Sequence, residues 1–377
     1  MTTLLNARVV TQTGVLEDAV VEMADGRITS VSCETTGDGS HDAIDLHGSW
    51  LLPGYIDLHV HGGGGHDFTK SKADMAAGVA YHRSRGTTST LVSLMTAPVD
   101  RLVEQLGWVT ELAESGLILG AHLEGPFLSH ARCGAQSHDH LLLPDPEALA
   151  RLLDAGRGNI RTITVAPELP GALDLIKQIV DAGVVAAVGH TDATYEQAQA
   201  AFAAGAALAT HLFNAMGTIS QRAPGPSVAA LDAGAYVELI NDGMHVHDAM
   251  SRLAVARAPH RLALITDAIS ATGVGDGNYT LGDRDVVVRD GRPTLAGSAR
   301  LAGSTLTTGT ALRRAVQVIG MDVVAAAEAA SGVPARVLGI DERTGAIAPG
   351  LDADLVVLDA DLQVRQVFVG GAAVGAR

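Results

Sequence analysis

Near both ends the chain alternates apolar and polar positions with a period of two, and between them it switches to short apolar runs separated by helical patterns. Leu4 to Val10, Ala19 to Met23 and Arg27 to Val31 read as short strands, with Asp25-Gly26 as a hairpin turn between the last two. Gly37 to Ser40 reads as a polar loop, and Ala43 to Leu46 resumes extended structure. At the other end, Gly350 to Asp354 leads into a strand at Leu355 to Leu358, and Val364 to Val369 follows as another. Neither end carries enough strand to bury its own apolar face. The two ends are therefore expected to pair into one small β-sandwich.

In the middle, strand-like runs fall at 55–61, 87–94, 117–124, 160–166, 184–190, 206–211, 236–241 and 261–267. Several are almost continuously apolar, as parallel strands buried on both faces must be. Helical patterns such as Pro98 to Ser115, Pro146 to Ala155, Gly171 to Ala182 and Tyr195 to Ala204 separate them. Eight such repeats predict an α/β protein built on a (β/α)₈ TIM-like barrel rather than an open doubly wound sheet. The expected organisation is a first part of the small domain at 1–52, a catalytic barrel at 53–345 and the second part of the small domain at 346–377. A glycine-rich, strand-like insertion (Gly273 to Leu301) follows the eighth strand, and residues 305–340 return to helix.

Composition narrows this picture. A chain of 377 residues with 47% hydrophobic and 18% charged residues has ample material for a core. The formal net charge of −16 argues against nucleic acid or an anionic membrane surface as partner. An anionic substrate would have to be met by a local cluster of positive groups. Cys33 and Cys133 are too few for a disulfide framework, which points to a reducing cytoplasm, and no export signal or membrane-spanning run is evident.

The chemistry begins at Pro53-Gly54-Tyr55-Ile56-Asp57-Leu58-His59-Val60-His61. Two histidines two residues apart on extended backbone project the same way and make half of a metal site. A pair of hydrogen-bonded core histidines is the competing reading for an isolated His-x-His. Here, however, Glu124, His190, His211 and Asp267 end strands three, five, six and eight, and barrel chemistry sits at those C-terminal ends. Four imidazoles and two carboxylates at one mouth call for a cation, and a divalent metal such as zinc or iron suits the donor set. Asp267 is the candidate general acid and base. A metal brings the pKa of bound water from about 15.7 toward about 7, and a nearby carboxylate can move the proton to the leaving nitrogen. That is the chemistry of hydrolysing an unactivated amide.

Six segments carry a family likeness: Pro53 to Gly62, His122-Leu123-Glu124-Gly125-Pro126-Phe127, Val188 to Thr191, Thr210-His211-Leu212-Phe213-Asn214-Ala215-Met216, Asn241 to His245 and Leu301 to Ser304. Across essentially the whole length the chain resembles the amidohydrolase superfamily, and within it the N-acetylglucosamine-6-phosphate deacetylases. His-x-His and the pattern from Gly350 to Val356 identify only the superfamily. His-Leu-Glu-Gly-Pro combined with His-Leu-Phe-Asn-Ala-Met is specific to the deacetylases. The resemblance implies removal of acetate from N-acetyl-D-glucosamine 6-phosphate, in amino-sugar catabolism and cell-wall recycling. It implies a metal on Glu124, His190 and His211, a second on His59 and His61 with Glu124 bridging, and Asp267 as acid and base. One or two divalent ions per subunit are expected, zinc or iron first, with cobalt, manganese or cadmium as other occupants. Asn214, the Ala215 backbone, Arg222 and His245 would bind phosphate, and Leu301, Ala302 and Gly303 would lie beside the sugar. The resemblance further implies a homodimer in which Arg222 reaches the neighbour's site. The alternatives are another N-acetyl amino-sugar phosphate, a cyclic amide or a dipeptide as substrate.

The loop Arg132-Cys133-Gly134-Ala135-Gln136 departs from the family pattern, in which a lysine near Cys133 and a histidine at Gln136 are familiar. Gln136, with Ala135 beside it, is expected to hydrogen-bond the acetamide or a sugar hydroxyl without taking a charge. His122 and Glu168 are candidates to support the ligands rather than to be ligands.

Overall fold

The computed structural model describes residues 1–33 and 43–375. The polar loop expected at Gly37 to Ser40 lies outside the described residues. Eight strands occupy the expected places: Tyr55–Asp57, Thr87–Met95, Gly120–Glu124, Ile160–Val165, Val185–Val188, Leu208–Ala209, Tyr236–Ile240 and Leu262–Ile265. They follow one another in chain order as a single eight-stranded sheet. From the second strand to the eighth every pairing is parallel. Just beyond the strand ends, Val60 bridges Ala268 in parallel, and the Asp267 N–H donates to the His59 carbonyl at 2.8 Å. These contacts close the sheet into a (β/α)₈ barrel.

Local chemistry explains the alternation. The strands are mostly apolar and almost fully buried. The helices Val99–Glu114, Pro146–Gly156, Ala172–Asp181 and Tyr195–Ala203 sit close to the expected spans. Asp145 caps the second of these by accepting from the Glu147 and Ala148 amides, and Thr194 with Gln197 forms a capping box at the fourth. Leu102, Leu106 and Val109 from the first helix share one core with Leu123, Ile163 and Ile176. The insertion forms an antiparallel three-stranded sheet, Gly277–Leu281, Arg284–Arg289 and Arg292–Leu295. Its apolar side packs with Met95, Ile269 and Ala302.

Both ends of the chain build one separate β-sheet domain of eight strands. Trp50–Pro53 pairs antiparallel with Leu355–Leu358 and parallel with Thr2–Thr11, which joins the N-terminal strands to the C-terminal ones. Leu4, Val9, Val21, Leu51, Leu355 and Phe368 form its core. Packing divides the chain into a unit of Met1–Asp57, His82–Ser89 and Thr307–Arg377, and a unit of Leu58–Tyr81 and Thr90–Leu306. Residues 307–345 therefore group with the terminal strands. Within that unit Thr87 Oγ1 lies 3.0 Å from Thr308 Oγ1, and the Ser331 hydroxyl donates to the Pro53 carbonyl at 3.3 Å. Among the described residues no helix is long and apolar enough to cross a membrane.

Candidate metal centre and substrate cavity

Every expected ligand belongs to the unit of 58–81 and 90–306. Glu124 is the last residue of the third strand, while His190, His211 and Asp267 follow the fifth, sixth and eighth by two residues. The ladder of the first strand stops at Asp57, earlier than the alternation predicts. The Val60 bridge nevertheless keeps the next residues extended, so His59 and His61 face the same way with ring centroids 5.0 Å apart. His190, His211 and Asp267 hold φ values of 46°, 29° and 49°. A non-glycine residue in the left-handed region costs of order 1–3 kcal/mol and persists where its surroundings over-determine it, often at functional sites. Three such residues turn their side chains inward at strand ends.

The side chains converge on Glu124. Its Oε1 lies 2.8 Å from His190 Nε2, 3.1 Å from His211 Nε2 and 3.4 Å from His59 Nε2. Its Oε2 lies 3.3 Å from His61 Nε2. Asp267 Oδ1 is 3.2 Å from His61 Nε2 and 3.6 Å from His59 Nε2. Two groups able to hold an ion result, His59 with His61 and Glu124, and Glu124 with His190 and His211, sharing the glutamate.

Hydrogen bonds on the far side of two rings prepare them for metal. His59 Nδ1 lies 3.2 Å from Glu238 Oε2, and His190 Nδ1 lies 2.9 Å from the Arg132 carbonyl. An acceptor at Nδ1 keeps the proton there and leaves the Nε2 lone pair for a cation. In both groups the Nε2 atoms crowd together, 3.1 Å apart for His59 and His61 and 3.0 Å for His190 and His211. Lone pairs aimed at one point with two buried carboxylates are the donor set of a divalent ion, and the residues fit one.

Electrostatics agrees. Burial alone would drive His59 neutral, yet the Glu124, Glu238 and Asp267 carboxylates hold its pKa well above the ordinary value. Burial also works against a charged His61, but Asp267 and Glu124 carry it to about 9. Burial opposes charge on Glu124 and Asp267 as well, and the imidazoles nevertheless hold Glu124 well below its usual range and Asp267 below its own. The carboxylates thus demand positive charge at this spot, which a dication supplies in concentrated form. His122 is different. Burial and the nearby His59 push it far down, so it is a neutral ring, hydrogen-bonded to Ser93 and Thr164 and edge-on to His59 at 4.5 Å.

A cavity of about 500 Å³ opens over this cluster. Ala135, Gln136, Asn214, Ala215, His245, Leu301 and Gly303 line it. Ala302 instead points into the core of the insertion. Arg222 is exposed and is not among the described residues lining the cavity. Gln136 has both ends of its amide engaged by protein. Asp242 fixes His245 through a 2.7 Å contact with Nδ1 and accepts from the Met244 and His245 amides. Gly303 permits close approach, because a Cβ there would sit 2.5 Å from Ile269 and 2.8 Å from the Asp267 carbonyl.

The sequence reading missed Glu238, which contacts His59 and accepts from the His211 amide at 3.1 Å. A lone glutamate in the apolar run Tyr236–Ile240, 1% exposed, was the available signal. Arg132, Arg292 and Arg300 also line the cavity and supply the positive groups an anionic substrate needs in a chain of net charge −16. Glu168 takes a supporting place, accepting from Thr191 Oγ1 at 2.5 Å and the Asp192 amide at 2.7 Å, just after His190.

The sequence profile of the amidohydrolase family matches residues 50–374. This chain belongs to the amidohydrolase family. Among curated amidohydrolase relatives it is 36% identical to the N-acetylgalactosamine-6-phosphate deacetylase of Escherichia coli O157:H7, over 98% of this chain and 99% of that protein. It is also 36% identical to the N-acetylglucosamine-6-phosphate deacetylase of Bacillus subtilis, over 94% of this chain and 92% of the relative. A mutant N-acetyl-D-glucosamine-6-phosphate deacetylase from Mycobacterium smegmatis, solved in complex with N-acetyl-D-glucosamine-6-phosphate, superposes with a TM-score of 0.95. It is 42% identical, with 99% of both chains covered.

Proposed function

We propose that this amidohydrolase removes the acetyl group of N-acetyl-D-glucosamine 6-phosphate, giving acetate and D-glucosamine 6-phosphate. The observation that carries the reading is the convergence of Asp267 and two histidine groups on Glu124, under a cavity of sugar-phosphate size. Full-length relatives named for the same reaction on amino-sugar phosphates support it.

Glu124, His190 and His211 would hold the first divalent ion, and His59, His61 and Glu124 a second. Zinc or iron suits the nitrogen and oxygen donors, with cobalt, manganese or cadmium as substitutes. When bound, the ion supplies the positive charge that polarises the amide carbonyl and acidifies water. Asp267, ionised by its imidazole neighbours, takes a proton from the attacking water and returns it to the leaving nitrogen. The C–N bond breaks as the new C–O bond forms, and the departing amine carries that proton. His245, held by Asp242, faces the phosphate end together with Asn214 and the Ala215 backbone, while Leu301 and Gly303 flank the sugar. We further propose a homodimer in which Arg222, exposed and outside the cavity of its own chain, reaches the neighbour's site. Residues 53–345 are the proposed catalytic stretch, and two free cysteines fit a cytoplasmic setting.

Acetate release by the metal-loaded protein from N-acetylglucosamine 6-phosphate tests the reading, with Asp267→Asn as control. Full turnover by that variant would remove the assigned acid and base. The Escherichia coli relative favours a second substrate, the C4 epimer N-acetylgalactosamine 6-phosphate. A panel varying the epimer and the phosphate separates the two.

A further inference from the structure

Gln136 lines the substrate cavity but is only 2% exposed. Its Oε1 accepts from the Thr96 backbone amide at 2.8 Å, and its Nε2 donates to Glu124 Oε2 at 2.6 Å. The orientation of the amide follows from its partners. A backbone N–H can only donate, so Oε1 must face Thr96. An ionised carboxylate can only accept, so Nε2 must face Glu124. Both ends of the amide thus have protein partners in place, with one Nε2 hydrogen left over.

The anchors are rigid. Thr96 follows the second strand, and Glu124 ends the third at the position paired with Met95. The Thr96 hydroxyl also donates to the Glu124 carbonyl at 3.2 Å. Gln136 itself sits on a loop stitched to the barrel mouth. The Arg132 guanidinium pairs with Asp192 at 2.8 Å, and Arg300 donates to the Gly134 carbonyl at 2.9 Å. Gly134 is at φ +62° with His190 beside it, so a Cβ there would meet the imidazole at 3.0 Å. The loop thus brings a neutral N–H donor to one oxygen of the glutamate that both histidine groups share.

We propose that Gln136 is a positioning residue that acts through Glu124 and is not a contact for the substrate. By holding Oε2 it stops the carboxylate from rotating, which aims Oε1 at the meeting point of the His59, His190 and His211 Nε2 atoms. An amide does this without adding charge beside two carboxylates. The proposal rests on the reading that these histidine groups hold a divalent ion.

The test compares the wild-type chain with Gln136→Met, which keeps size but loses the donor, and Gln136→Glu, which replaces the donor by an acceptor. Zinc binding to each metal-free protein is measured by competition with a chromophoric chelator. Kinetics on N-acetylglucosamine 6-phosphate follow at saturating zinc. Removing a hydrogen bond to a metal ligand weakens metal binding roughly ten- to hundredfold. Zinc affinity should therefore fall in the order wild type, Met, Glu, with KM at saturating zinc within about twofold of wild type and the loss confined to kcat. Unchanged zinc affinity in both variants, or in whichever one folds, would overturn the proposal. So would a tenfold rise in KM at unchanged affinity, the mark of a substrate contact. A wild-type chain that binds no zinc would instead overturn the metal reading.

Discussion

The two ends of the cavity are built on different principles. At the metal end, Glu124 closes a strand, and His59, His61, His190, His211 and Asp267 each lie within about one turn of chain beyond a barrel strand end. Where the phosphate is proposed to bind, Asn214, Ala215 and His245 stand on longer loops, and Arg222 is exposed outside the cavity. The metal end is complete in one chain. The proposed phosphate end has Arg132, Arg292 and Arg300 along the cavity wall, and Arg222 would have to reach it from a neighbouring chain. A strand terminus inherits its place from the register of the whole barrel, whereas a loop residue depends on what packs against the loop.

This contrast can be broken most forcefully at Asp267. Proton transfer by a positioned carboxylate contributes about 10²–10⁴-fold, so Asp267→Asn should lower kcat by that factor with zinc content unchanged. Glu238→Gln comes next. It keeps a partner for His59 Nδ1 but removes the charge, and zinc affinity should fall roughly tenfold or more, read by the same chelator competition. At the phosphate end, a charge-assisted hydrogen bond is worth about 1.5–3 kcal/mol, so His245→Ala and Arg222→Ala should each raise KM roughly ten- to hundredfold. Neither substitution should disturb zinc binding.

Mixed dimers sharpen the comparison. A subunit carrying Arg222→Ala, paired with one carrying Asp267→Asn, regains one working site only if the arginine crosses the interface. With substrate well below KM, activity of about a quarter of wild type in an equimolar, freely associating mixture (half the dimers mixed, one working site of two in each), against about a tenth or less in either parent, is the expected result. No recovery would place Arg222 in its own subunit's site or outside any site.

The smallest effect is on stability. Burial pushes the Asp242 carboxyl up, but hydrogen bonds from His245 and the backbone outweigh it and hold the pKa below the ordinary value. A lowered carboxylate pKa stabilises the fold above the unfolded value of about 3.9, and that contribution disappears as pH falls through the folded value. Asp242→Asn should therefore lower the urea midpoint at pH 7, by an amount that shrinks as pH falls below about 3.9.

Much of this was legible beforehand. The eight barrel strands announced themselves as apolar runs, and the ligands stood at or just past their ends, where barrel chemistry belongs. Glu238 was overlooked because one acidic residue in an apolar strand has no local partner, and its two contacts come from residues 27 and 179 positions away. Gln136 was read as a substrate contact because its type allows that. Only the tertiary structure shows that the Thr96 amide and the Glu124 carboxylate also hold its two ends.

Sequence alone determined the period of the elements, and with it which residues would stand at strand termini, since both follow from local backbone geometry. Tertiary structure decided which termini meet, which way the His59 and His190 rings hold their protons, and that Arg222 stays outside the cavity. Those outcomes depend on atoms far apart along the chain coming within 3 or 4 Å of one another, and no local pattern of residues encodes such a distance.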